Sequence, residues 1–186
     1  MKRIFDILLG IFLGILLSIP ILIIALFVYK TSEGGVIFWS RRVGKNNLIF
    51  KMPKFRSMEK DTPDLASDLL IDPNSYLSPI GGFLRKYSLD ELPQLYSVIK
   101  GDMSFVGPRP ALHNQIDLIS MRKELGVDLL KPGITGWAQI NGRDSLSLED
   151  KVELDYEYLK IKSFYLDLKI LFLTFFKVIN KKNISH

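Results

Sequence analysis

The sequence contains no cysteine and only two histidines. The first absence excludes disulfides, thiolate nucleophiles and zinc or iron–sulfur centres held by cysteine. The second leaves His113 and His186 as the only imidazoles; neither has a partner at metal-ligand spacing, and both read as ordinary surface or terminal residues. Chemistry must come from carboxylates, bases or hydroxyls. Internal repeats, an arginine-rich tail and nucleic-acid-binding motifs are missing as well. The net charge of +5 therefore points to an anionic membrane surface or a phosphorylated ligand, with nucleic acid excluded as the expected partner.

Residues 7–29 lack charge altogether, and Ser18-Ile19-Pro20 breaks the run near its middle. At a helical rise of about 1.5 Å per residue such a run reaches roughly 35 Å, enough to span a bilayer core. Pro20 has no N–H and clashes with the carbonyl of Leu16, which predicts a bend. Lys2 and Arg3 precede the run, and Lys30, Arg41, Arg42 and Lys45 follow it, so both ends carry the charge favoured on the cytoplasmic side. Two readings fit. One is a kinked span. The other is a re-entrant helix-break-helix hairpin whose arms, roughly 20 and 14 Å, are too short to cross separately. In the hairpin the Ser18 hydroxyl could bond a carbonyl freed at the kink. The apolar run exceeds the ~7–15 residues of a signal peptide and no small-residue cleavage site follows, so it is expected to persist in the mature protein.

Behind this segment there is room for one domain of about 150 residues. The expected division is a membrane hairpin over residues 1–30 and a cytoplasmic catalytic domain over residues 31–186. Residues 36–39 and 48–51 read as strands of a small β-hairpin around Gly44-Lys45-Asn46-Asn47. A polar excursion covers residues 61–79, with a short helix expected at 65–70. Further helices are predicted at residues 80–86, 92–99, 112–125 and 148–160, the second ending at Gly101 with Lys100 in its last turn. Over residues 164–179, Leu168, Leu171, Phe172, Phe175 and Ile179 share one helical face, which either packs on the core, the default, or lies on a membrane. The fold class is thus α+β, mostly helical, with amphipathic helices around a small β element.

Three stretches carry chemical potential. In Ser88-Leu89-Asp90-Glu91-Leu92-Pro93-Gln94 two acids open a helix. Ser88 with Glu91 fits a capping box and Asp90 fits a helix cap, so capping alone accounts for them. Adjacent residues on a helix diverge by about 100°, so the pair cannot be a facing acid couple, but one can attack an electrophile while the other binds a divalent metal. Arg109 lies between Pro108 and Pro110, a stiff turn suited to gripping phosphate, or equally to a salt bridge or carbonyl clamp. Residues 131–143 combine glycine turns with Gln139, Asn141 and Arg143, a mixture suited to a nucleotide but also to an ordinary turn around a buried Trp137.

Lys54-Phe55-Arg56-Ser57-Met58, residues 88–94, residues 100–110 and residues 132–143 occur in the order and spacing of the bacterial monotopic phosphoglycosyl transferases. The chain resembles that family over nearly its whole length, from Lys2-Arg3 and Asp6 onward. Its short form, Thr62-Pro63 loop and Pro108-Arg109-Pro110-Ala111-Leu112 segment look most like enzymes that initiate capsule or O-antigen synthesis. The resemblance implies a re-entrant hairpin kinked at Ser18 and Pro20, on the cytoplasmic face of the bacterial inner membrane. It implies UDP-linked N-acetylated deoxyamino sugar as donor, polyprenol phosphate as acceptor, Asp90 as nucleophile and Glu91 as ligand of a Mg²⁺ cofactor. Lys54, Arg85 and Arg109 would neutralise phosphate charge, and Gln139, Asn141 and Arg143 would serve the nucleotide end. Downstream glycosyltransferases would take the product. Two departures stand out: Ile19 separates Ser18 from Pro20, where the family commonly has Ser immediately before the kink Pro, and Val43 occupies a position where an Arg-Pro-Gly turn often has Pro. Two other readings remain open: direct displacement by the acceptor without a covalent intermediate, and a non-catalytic membrane-anchored scaffold.

Overall fold

The protein is described from a computed structural model covering residues 1–63, 72–142 and 146–180. The predicted helix at 65–70 and the candidate Arg143 lie outside the described residues. Two helices open the chain, α1 (Lys2–Leu16) and α2 (Ser18–Thr31). A β-hairpin follows, β1 (Ile37–Val43) and β2 (Ile49–Phe55), then α3 (Gly81–Lys86) and α4 (Gln94–Lys100). Next come β3 (Ser104–Val106), α5 (Ile116–Glu124), β4 (Gly133–Thr135), α6 (Trp137–Asn141), α7 (Leu148–Ile161) and α8 (Phe164–Asn180). The described residues are mostly helical, with one antiparallel pair, β1 and β2, and one parallel pair, β3 and β4.

The break between α1 and α2 falls at Leu17, three residues before the proline, and bends the pair by 64°. Pro20 is the third residue of α2, inside the first turn where N–H groups have no intrahelical partner, so its missing donor costs nothing there. Its ring ends the preceding helix by denying the Leu16 carbonyl its usual partner. The Ser18 hydroxyl donates to the Ile15 carbonyl at 2.8 Å, so the intervening Ile19 does not prevent a bond across the bend. With the break at Leu17 the arms are nearly equal, about 22 and 21 Å at 1.5 Å per residue. No single described helix is long and apolar enough to cross a membrane; the bent pair passes that test only together. Phe12, Ile15, Leu16, Ile19, Leu22 and Leu26 are all exposed around the bend.

Lys2 and Arg3 do more than flank an apolar run. Arg3 donates to the carbonyls of Val98 and Ile99 at 2.6 Å, satisfying the open end of α4. Lys2 reaches Val106, Tyr158 and Asp167, and buried Asp6 accepts from the Phe105 N–H at 3.2 Å. Gly10, one turn on, permits close approach of α4: a Cβ there would stand 3.0 Å from Ile99 Cγ1. α2 contributes Ile24 and Val28 to a small core with Phe55 and Leu84. The larger core gathers Met52, Val98, Phe105 and Ile170 from β2, α4, β3 and α8, with Met103 from the link between α4 and β3.

The β-hairpin is longer than expected, because β2 runs on through Pro53 to Phe55 and pairs Lys54 with Phe38. Pro is tolerated since β2, among the described residues, pairs with one strand alone. Val43 is the last residue of β1 and its N–H donates to the Ala111 carbonyl at 2.9 Å, a bond that a proline at this position could not make. The helix expected at 112–125 starts only at Ile116, because Gln115 turns its side-chain oxygen onto the Leu112 N–H at 2.8 Å and holds the preceding turn non-helical. In α8 the buried positions are Leu166, Asp167 and Ile170, while Leu168, Phe172 and Phe175 are exposed. The apolar face is therefore divided: Leu171 packs against the larger core, as the default expectation has it, while Leu168, Phe172 and Phe175 stay exposed; the Ile179 side chain lies outside the described residues.

Candidate active site

Asp90 and Glu91 sit on a one-turn 3₁₀ helix, Leu89–Glu91, entered through Ser88 with φ +54° and ψ +25°. A left-handed serine costs about 1–2 kcal/mol, and such strain is kept where the surrounding structure fixes it. The capping interpretation of both acids fails. No side-chain cap forms from Ser88, and α4 is preceded by Pro93 without a side-chain cap. Glu91 instead turns away from the backbone: its Oε1 lies 2.9 Å from Lys54 Nζ and 3.3 Å from Arg109 Nη2. Asp90 is buried and its Oδ2 lies 3.7 Å from Lys54 Nζ. Lys54 thus reaches both acids from the end of β2.

Burial pushes the Asp90 carboxyl above its ordinary value, and the negative charge of Glu91 adds to this; Lys54 is the strongest opposing influence, followed by Arg85 and Arg109. Among the described residues, Lys54, Arg85 and Arg109 stand around the two carboxylates, a preponderance of cations that suits an anionic phosphate ligand. Arg85 comes from the last turn of α3, where its Nη1 also lies 3.2 Å from Met58 Sδ.

Arg109 is positioned by a device that proline makes necessary. Pro108 and Pro110 have no N–H, so residues 108–111 are held through their carbonyls, and each of the four accepts a bond from elsewhere. Pro108 accepts from Gly133 N–H at 2.9 Å and Arg109 from Arg122 Nη1 at 2.8 Å. Pro110 accepts from Arg42 Nη1 at 3.1 Å and Ala111 from Val43 N–H at 2.9 Å. Arg122 is fixed in turn by buried Asp155, with Nη2 and Nε at 2.6 and 3.0 Å from Oδ2. Sequence reasoning missed Arg42, Arg122 and Asp155, whose partners lie 68 and 33 residues away along the chain.

The structure brings together Lys54, Arg85, Asp90, Glu91 and Arg109. Gln139 and Asn141 are not drawn into that cluster by any bond seen here: Gln139 Nε2 donates to the Ile134 carbonyl at 3.0 Å and Asn141 Nδ2 to the Trp137 carbonyl at 2.9 Å. Trp137 is half-buried rather than buried, and its Nε1 donates to Glu157 Oε2 at 2.9 Å. Among the described residues no group of three or more acidic, histidine or cysteine side chains forms a ready-made metal cage.

A proline-flanked arginine paired with Glu91, and a lysine that reaches both Asp90 and Glu91, thus form one charged cluster in a chain that opens with an exposed apolar bent helix pair. The chain belongs to the bacterial sugar transferase family, which matches residues 1–181, and it is a sugar-phosphate transferase. It is 44% identical to the uncharacterized sugar transferase EpsL of Bacillus subtilis (strain 168) over 100% of this chain and 90% of EpsL. It is 36% identical to the exopolysaccharide production protein ExoY of Rhizobium meliloti (strain 1021), over 93% of this chain and 83% of ExoY. Identity to the UDP-glucose:undecaprenyl-phosphate glucose-1-phosphate transferase of Escherichia coli (strain K12) is 41% over 95% of this chain, which spans only 40% of that longer protein.

Proposed function

We propose that this enzyme transfers a sugar 1-phosphate from a UDP-linked N-acetylated amino sugar to polyprenol phosphate, yielding polyprenyl-diphosphosugar and UMP at the start of a surface polysaccharide. The observation that carries the reading is the buried Asp90, held next to Lys54 and Glu91 in a cation-rich cluster that contains the proline-flanked Arg109. Names of relatives support a UDP-linked sugar as donor and undecaprenyl phosphate as acceptor, the sugars they name being glucose and galactose: one is an undecaprenyl-phosphate glucose phosphotransferase, another a UDP-galactose-lipid carrier transferase.

In the first step an Asp90 carboxylate oxygen attacks the phosphorus that bears the sugar. The bond from that phosphorus to the bridging oxygen breaks, and UMP leaves with the electron pair. In the second step a phosphate oxygen of the polyprenol phosphate attacks the same phosphorus and returns Asp90 as free carboxylate. Lys54 opposes the upward push that burial exerts on the Asp90 carboxyl and draws the donor's diphosphate toward it. Arg109 and Arg85 take up charge on the phosphoryl oxygens. Glu91 is the residue that fits Mg²⁺, because that ion commonly takes one or two carboxylates and completes its shell with substrate phosphate oxygens and water. When bound, Mg²⁺ would offset the charge of the diphosphate.

The bent pair α1–α2 suits a re-entrant hairpin dipping into the cytoplasmic leaflet of the inner membrane, with the exposed Leu168, Phe172 and Phe175 of α8 lying on the same surface. The acceptor's isoprenoid tail then stays in lipid while its phosphate meets the site.

The test is incubation of purified enzyme with Mg²⁺ and a panel of UDP-sugars without acceptor, recording intact mass and UMP. A phosphosugar adduct with stoichiometric UMP, absent in Asp90→Asn, is the expected result. UMP that appears only after polyprenol phosphate is added would replace the covalent step with direct displacement. No turnover with any donor, with or without acceptor, would favour a scaffold.

A further inference from the structure

The ammonium of Lys2 joins four elements. It lies 3.0 Å from the Val106 carbonyl of β3, 3.2 Å from the Tyr158 hydroxyl of α7 and 2.5 Å from Asp167 Oδ2 of α8, while its own backbone begins α1. The Tyr158 hydroxyl donates to the other Asp167 oxygen at 2.6 Å, closing a ring of three side chains. Burial and this bond to Asp167 push the Tyr158 hydroxyl far above its ordinary range, so it stays protonated and keeps donating. One turn along the same helix face, Asp6 accepts from the N–H of Phe105. Two consecutive residues of β3 are thereby held by α1, one through its N–H and the next through its carbonyl.

Beyond Val106 the chain has no slack. A Cβ on Gly107 would stand 2.2 Å from the Lys131 carbonyl oxygen, Pro108 and Pro110 fix their own φ angles, and every carbonyl of residues 108–111 is already bonded. A shift of β3 therefore has to move Arg109. On the other side of the site, Arg3 grips the far end of α4, a helix that begins three residues after Glu91. The polar first turn of an otherwise apolar helix thus touches both the strand that leads to Arg109 and the helix that leads from the acids.

We propose that Lys2 is a positioning residue: by tying the first turn of α1 to Val106, Tyr158 and Asp167, it sets where Arg109 meets Glu91, and so makes the seating of α1 a condition for phosphosugar transfer. The inference rests on the reaction assigned above. The competing account gives Lys2 only a cytoplasmic charge beside the membrane run, for which the position of the ammonium is immaterial. Its three contacts with Val106, Tyr158 and Asp167 argue against that account, because a purely topological charge needs no partners.

The experiment compares full-length enzyme in lipid nanodiscs as wild type, Lys2→Met, Lys2→Arg, Asp167→Asn and the double variant. A further Lys2→Met form carries an extra lysine inserted after Met1, restoring the charge without restoring the ammonium's place. Turnover is read as kcat and KM for the donor, and hydrogen exchange of residues 104–112 is followed in parallel. Misplacement of a catalytic contact is expected to lower kcat on the order of tenfold or more, with KM changed by less than about threefold. Exchange in residues 104–112 should rise, Lys2→Arg should restore most of both, the relocated lysine neither, and Asp167→Asn should not add to Lys2→Met. Recovery of kcat by the relocated lysine, or wild-type exchange and kcat in Lys2→Met, overturns the proposal. An inactive wild type would sink the assigned reaction instead, and unchanged exchange in Lys2→Met would still sink the tether on its own.

Discussion

Arg122 donates from Nη1 to the carbonyl of Arg109 at 2.8 Å while its other nitrogens hold the buried carboxylate of Asp155. One guanidinium thus connects a residue with no access to substrate to the residue best placed to grip it. Arginine serves here because its planar fork reaches a carboxylate and a carbonyl at once, which a lysine ammonium on a flexible stem does not do with the same order.

Breaking that connection should cost both stability and activity. Removing one partner of a buried ion pair typically costs about 3–5 kcal/mol, so Asp155→Ala should lower Tm strongly and weaken transfer through Arg109. A double change to apolar residues, Arg122→Met with Asp155→Leu, should recover much of the stability but not the activity. Thermal melts and kcat on the same preparations separate the two effects.

Asp90 should destabilise the fold it serves. Burial raises its carboxyl above the ordinary 3.8, so between that value and its own pKa the folded state holds more protons than the unfolded one. Stability then falls as pH rises through that window, and the penalty is complete above it. Asp90→Asn is expected to raise Tm near pH 7.5 and to have much less effect near pH 4, in paired melts at the two pH values.

Lys54 is the largest influence lowering the Asp90 pKa. Lys54→Met should shift the acid limb of the rate profile to higher pH and reduce neutral-pH kcat on the order of 10²-fold, as loss of a preorganised charge does. Lys54→Arg should keep the limb nearer its original place. A pH series of UMP release measures both.

Two glycines give opposite expectations. A Cβ on Gly107 meets the Lys131 carbonyl oxygen at 2.2 Å, so Gly107→Ala must displace backbone and should cost more than about 2 kcal/mol. Around Gly14, within α1, nothing beyond the adjoining residues and the helix's own backbone stands within 4 Å of an added Cβ, and Gly14→Ala should be neutral or stabilising by about 1 kcal/mol. Melting temperatures of the two variants check the contrast.

Because the chain has no cysteine, single cysteines report topology cleanly. A cysteine added ahead of Met1 and one at Leu48, in an exposed position, should both be shielded from an impermeant thiol reagent applied outside intact cells. Pro20→Ala returns an N–H to the Leu16 carbonyl and should let α1 and α2 join into a helix of about 45 Å, long enough to span and to expose the N-terminal cysteine.

Much of the fold was legible because its signals are local. The apolar run, the Gly101 stop of α4 and the start and stop signals around α7 each depend on a few neighbouring residues, and α4 and α7 match expectation within a residue or two. The bend was displaced because a proline's consequence appears upstream of the proline itself, at the carbonyl it cannot serve. The parallel pairing of β3 with β4 joins three-residue strands across a crossover, too short for any alternation pattern to declare.

By itself the sequence determined the chemical vocabulary: no thiol, two histidines without a partner at metal-ligand spacing, two adjacent acids before a helix, an arginine locked between prolines, and an apolar segment interrupted by a proline. Only the tertiary structure decided what those groups do for one another. It turned Glu91 from a cap into the partner of Lys54 and Arg109, faced the aromatic side of α8 outward, and made the charged start of α1 a clamp on β3 and α4. The physical reason is that caps, charges and apolar faces have several local solutions of similar free energy. Contacts made across tens of residues, worth little until the chain has closed, select among them.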